Sequence, residues 1–183
     1  MNWLTPTLLF LAAWLAVFVQ TQFPVLRAFS GTPIGVVPAL VVYAGLSHSL
    51  PLTSIFSVTC GLWVDSLSSA KLGVSVLPLF LLGFIVHVRQ HLLLRDQVYA
   101  QFWLGLGAGI GIPLTTLFIL NIGGKDIILG WGTAWQLIVS GLVNGIFGPL
   151  WFWFFDRLRQ TFEYQPISAP PFRPDREIKY GRH

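Results

Sequence analysis

The sequence predicts an all-α, polytopic membrane protein, a compact bundle of about six transmembrane helices, and three observations predict it. Of 183 residues, 54% are hydrophobic and only 10% charged, where a soluble domain carries about 25%. The charges are also segregated. Residues 1–155 hold five bases (Arg27, Lys71, Arg89, Arg95, Lys125) and three acids (Asp65, Asp96, Asp126), and the rest lie in residues 156–183. Finally, apolar stretches recur along the chain, each close to the ~20 residues a helix needs to cross a ~30 Å hydrocarbon core.

The spans are expected near 3–20, 34–50, 52–66, 73–88, 98–120 and 134–155. The first, fifth and sixth are continuous apolar runs. The second and third are separated by Pro51, and the third and fourth by the polar stretch Asp65–Leu72. Those middle three are short, so a re-entrant segment and a total of four or five spans stay open. With six spans and both ends inside, Arg89, Arg95, Arg157, Arg159, Arg173, Arg176, Lys179 and Arg182 are cytoplasmic, and Arg27, Lys71 and Lys125 are outside. That asymmetry follows the positive-inside rule. Tyr99, Phe102 and Trp103 at the start of the fifth span, and Trp151, Phe152, Trp153, Phe154 and Phe155 at the end of the sixth, are expected as headgroup-level belts. Residues 156–163 extend the last helix by a turn or two. Beyond them the tail places four prolines between Pro166 and Pro174, and a solvated, extended or disordered segment is expected. The chain therefore divides into a bundle over 1–160 and a basic, Pro-rich cytoplasmic tail over 161–183.

Several functions are excluded or disfavoured. Cys60 is the sole cysteine, which rules out a disulfide framework and a paired-thiolate zinc site. The pI of 9.6 comes from membrane-flanking bases, and no nucleic-acid partner is expected; anionic lipid is the expected electrostatic partner. No cleavable signal peptide is expected, because no Lys or Arg precedes the first apolar run. His87 and His91 stand four apart at the inner border, but no acid completes a zinc-protease pattern, and interfacial anchoring is the expected role. No nucleophile elbow or phosphate loop occurs. Neither an enzyme nor a cofactor is expected.

Within the spans, small residues mark helix contacts. Gly105–Gly109 and Gly107–Gly111 are overlapping pairs in the fifth span. Gly141–Gly145 lie in the sixth, with Ser140, Asn144 and Gly148 alongside. Ser54, Ser57, Gly61 and Asp65 share one face of the third. Gly105, Gly109, Gly141, Asn144 and Gly145 are therefore candidate helix-packing or partner-contact residues, with packing inside the chain favoured. Asp65 is the one acid beside an apolar core. Its alternatives are a turn cap and, as an intramembrane ionisable group, a functional acid. Asn144 is expected to hydrogen-bond between helices.

The stretch from Gly61 to Leu77 (Gly-Leu-Trp-Val-Asp-Ser-Leu-Ser-Ser-Ala-Lys-Leu-Gly-Val-Ser-Val-Leu) resembles the signature of the bacterial rod-shape-determining MreD family. There an apolar span ends in Gly-x-x-x-Asp, followed by a Ser-containing turn and a Gly and Leu that open the next span. The matching positions are Gly61, Asp65, Ser68, Gly73 and Leu77. Pro38 in the second span and Phe155-Asp156-Arg157-Leu158 near the end are also similar. Two features depart from the family: Ala39 stands where an acid often follows the proline, and the tail runs past the family core. The resemblance implies a non-catalytic inner-membrane scaffold of the cell-elongation machinery. Its partners would be MreC, a single-span protein, together with MreB filaments, RodA and its penicillin-binding transpeptidase. It also implies a six-helix fold like that of the S components of energy-coupling-factor transporters. Such a substrate-binding subunit is the alternative reading, with Lys125, Asp126, Trp131 and Trp135 as its candidate outer-loop groups.

Overall fold

Six α-helices and no strand make up the computed structural model over its described residues, 4–22, 35–67, 72–90, 97–122 and 130–162. They are α1 (Leu4–Gln22), α2 (Val37–Ser47), α3 (Leu50–Leu67), α4 (Val76–Val88), α5 (Val98–Ile122) and α6 (Trp131–Phe162). Each falls on one expected span. Ser68, Lys71, His91, Arg95, Lys125, Asp126 and the tail beyond Phe162 lie outside the described residues.

The helices differ in length in a way that matters. α3, α5 and α6 over Trp131–Leu158 are long and apolar enough to cross a membrane, whereas α1 over Pro6–Gln20, α2 and α4 are shorter apolar helices. The protein is a helical membrane protein in which α2, with 11 residues, covers about 16 Å at 1.5 Å per residue. That is half a hydrocarbon core. Residues 34–50 are expected as one of the short spans, with a re-entrant segment left open, and the helix starts only at Val37 and stops at Ser47. Pro38 in the first turn lacks an N–H. At the other end the chain turns extended at His48 (ψ 168°), and Pro51 sits in the first turn of α3, where proline breaks no hydrogen bond.

α2 is the centre of the bundle. Every residue from Val37 to Leu46 is buried, and α2 packs against each of the other five helices. Those five follow one another around it, each packed on the next, in the order α1, α3, α4, α5, α6. A helix apolar all round is stable only with such a complete coat. Leu9, Ala13, Ala16 and Val17 of α1, Phe56 and Cys60 of α3, Leu79 and Val86 of α4, and Phe152 and Phe155 of α6 belong to the same core. The end of the bundle where α2 gives way to α3 and α6 runs out is its base; the opposite end is its top.

At the base the ring of Tyr43 stacks on Phe155 (4.7 Å, 17°) and meets Phe152 edge-on (5.0 Å, 78°). The expected aromatic belt at Trp151–Phe155 is therefore split. Phe152 and Phe155 turn inward and are buried, while Trp153 and Phe154 are exposed. His87 is half-buried at the end of α4. Its Nδ1 lies 3.2 Å from the Gly45 carbonyl, so the ring also ties α4 to the last turn of α2.

Candidate functional site

Two buried polar side chains, Asp65 and Asn144, stand where helices begin, and their surroundings show what each does. Asp65 is 1% exposed. One carboxylate oxygen accepts the Gly73 N–H at 2.7 Å, and both oxygens lie 3.2 Å from the Ser75 nitrogen, which donates to them. Ser75 is the N-cap of α4 but makes no side-chain cap bond of its own. The carboxylate of α3 therefore caps α4 from across the turn. A helix N-terminus presents unpaired N–H groups and a partial positive charge, and a carboxylate satisfies both.

Two glycines make that geometry possible. Gly73 has φ +99°, a conformation that side-chain-bearing L residues avoid, and it turns its own N–H and that of Ser75 onto one acceptor. Gly61, one helical turn before Asp65, faces Val76, where an added Cβ would stand 2.5 Å from the Val76 Cα. Gly61, Asp65 and Gly73 thus form a single lock that closes the α3–α4 hairpin. Leu77, another residue of the same motif, is 53% exposed and takes no part in it.

Asn144 is fully buried in α6. Its Oδ1 accepts the Ala39 N–H at 3.2 Å, and its Nδ2 donates to the carbonyls of Gly35 at 2.8 Å and Ser140 at 2.9 Å. Beside it Gln20 Oε1 accepts the Val36 N–H at 3.1 Å. The start of α2 is therefore capped by carboxamides from α1 and α6, which supply the partners that water would offer at an exposed helix end. Gln20 escaped the sequence reading; its signal is a carboxamide in the last turn of an otherwise apolar helix. At the far end of α2, Thr53 Oγ1 of α3 donates to the Ala44 carbonyl at 3.1 Å, alongside the contact of His87 with Gly45.

Asn144 also stands at the closest meeting of α5 and α6. A Cβ on Gly105 would collide with the Asn144 carbonyl, and one on Gly109 with the Ser140 carbonyl. Gly141 faces Ile110, and Gly145 faces the ring of Phe102. The candidate packing residues Gly105, Gly109, Gly141, Asn144 and Gly145 are thus brought together inside the chain. Gly107 and Gly111 are not: nothing lies within 4 Å of the Cβ either would carry, because they lie on the other side of α5. Trp131 and Trp135, the candidate outer-loop groups, are 88% and 50% exposed.

Chemically, both polar side chains are bonded to backbone groups, Asp65 at the start of α4 and Asn144 at the start of α2 and within its own helix. No three His, Cys, Asp or Glu side chains come together among the described residues. No protein-family model, curated protein or solved structure matches the chain.

Proposed function

We propose that this protein is a non-catalytic scaffold subunit of the bacterial cell-shape machinery, of the MreD kind. In this reading it sits in the inner membrane with both termini in the cytoplasm. It binds an MreC-like single-span protein and, through it, joins RodA and a penicillin-binding transpeptidase to MreB filaments. The observation that carries the reading is the stretch Gly61–Leu77, which resembles that family's signature. Within it Gly61, Asp65 and Gly73 act together as one hairpin lock, so a physical reason exists for those residue types at those spacings. A scaffold also suits a bundle in which Asp65 and Asn144 are committed to its own backbone.

The test is affinity purification from native membranes in a mild detergent. Recovery of a single-span protein with an extracytoplasmic coiled coil is the expected result. Co-purifying ATPases, or a tightly held vitamin, would overturn the reading in favour of a transporter subunit.

A further inference from the structure

α6 grips α2 at two places, and a proline lies between them. Above, Asn144 holds the Ala39 N–H and the Gly35 carbonyl; below, Phe152 and Phe155 hold the ring of Tyr43. Pro149 is inside the helix between these grips. It has no N–H for the Gly145 carbonyl and crowds it sterically, so α6 bends there more readily than elsewhere. α5 carries Gly105, Gly107, Gly109 and Gly111 and then Pro113 inside the helix, its least stiff stretch; Gly105 stands opposite Asn144 and Gly109 opposite Ser140, so this stretch begins about one helical turn above Pro149.

Above this level the two helices stand apart from the rest. No described residue of α5 after Gly109 is buried, and none of α6 before Ser140 is. Above it the two helices pack on each other, and Ile112 of α5 also packs against the buried core; α2 is enclosed on every side. Because α2 is a rigid, fully coated helix, α6 bends at Pro149 only if one of its two grips opens. The lower grip is a stack of three buried rings. The upper one is the Asn144 side chain, with Val143 and Phe147 beside it packed against the same core, and Asn144 keeps a partner when it lets go, since its Nδ2 also bonds Ser140 of its own helix.

We propose that the top halves of α5 and α6 form a hinged arm that pivots at Pro149 and is latched to α2 by Asn144. The structure holds the latched state. Releasing the latch swings the arm away from the start of α2 while the base stays in place. This inference is independent of the cell-shape reading and stands or falls without it.

The test uses the full chain in lipid nanodiscs, in a Cys60→Ala background, with pairs of spin labels. One pair, at Val19 and Phe118, reports the top; the other, at Val88 and Trp153, reports the base. All four positions are exposed. With Asn144 intact, each pair is expected to give a single distance. In Asn144→Ala the top pair should shift by roughly 5 Å or more, the travel of a ~20° bend over some 14 residues of helix. The base pair should not move, and adding Pro149→Ala should restore the original top distance. If Asn144→Ala does not assemble, Asn144→Ser, too short to hold both Ala39 and Gly35, carries the same expectation. The proposal is overturned by an unchanged top distance, by equal broadening at top and base, or by a shift that survives Pro149→Ala.

Discussion

Gly109→Leu is expected to separate α5 from α6 and to abolish the folded bundle, whereas Gly107→Leu, two residues away, should leave it at wild-type yield. A Cβ at Gly109 meets the Ser140 carbonyl, the Asn144 Cβ at 2.8 Å and the Gly141 Cα at 3.0 Å. Two of these atoms belong to backbone and the third is held by the caps of α2, so none can rotate aside. Overpacking in a core costs about 1–3 kcal/mol where neighbours can shift, and a leucine against helix backbone belongs at or above the top of that range. Gly105→Leu should behave alike. Gly145→Leu should be milder, since its nearest neighbour is the Phe102 ring at 3.1 Å, which has room to tilt. Gly107→Leu meets nothing within 4 Å and even gains helix propensity. Folded yield and thermal midpoint in detergent read the comparison. Equal loss at Gly107 and Gly109 would mean that the outward face of α5 is packed against something in the membrane.

Asn144→Leu carries the second large effect. It keeps the volume but removes the acceptor of the Ala39 N–H and the donor to the Gly35 carbonyl. A buried backbone group stripped of its partner costs about 1–3 kcal/mol, so the two together are expected to cost about 2–6 kcal/mol. Side-chain hydrogen bonds inside membranes often contribute less, ~0.6 kcal/mol on average. The larger figure applies because the groups left behind are main-chain groups at the start of a coated helix. Hydrogen exchange should locate the damage: protection should fall at Ala39 and Leu40 before it falls in the α3–α4 hairpin, which Asp65 closes separately.

What was legible in the sequence was mostly what apolar length and small residues report. All six helices lie on expected spans, and the Gly105–Gly109 and Gly141–Gly145 faces meet each other. The direction of a side chain was not legible, because it depends on which helices sit next to each other. Gly107 and Gly111 have the same spacing as Gly105 and Gly109, yet only the latter pair meets α6. His87 reads as a border residue, and its contact with the Gly45 carbonyl depends on a helix 42 positions back in the chain. The Trp151–Phe155 run read as a belt because composition does not say that Phe152 and Phe155 turn toward Tyr43. The half-length of α2 is the largest departure. Residues 34–50 are apolar enough for a whole span, and the helix is shortened by Pro38 and by caps that come from Gln20 and Asn144, far away in sequence. For Asp65 both alternatives were visible, and the turn cap is the one its hydrogen bonds describe.

Under the proposed cell-shape function, the most direct test is therefore made on Asp65, in a strain in which that function puts rod shape under this protein's control. Asp65→Asn keeps one acceptor for the Gly73 N–H but turns an amide group toward Ser75, and Asp65→Ala keeps neither. Hydrogen bonds to a charged group contribute about 1.5–3 kcal/mol each, so folded protein should decline in the order Asp, Asn, Ala. Cell shape and recovery of the single-span partner are predicted to fall in step with the amount of folded protein, and to return when Asp65→Asn is overexpressed to wild-type abundance. Loss of rod shape at wild-type abundance, with the bundle intact, would contradict this and make Asp65 a functional acid.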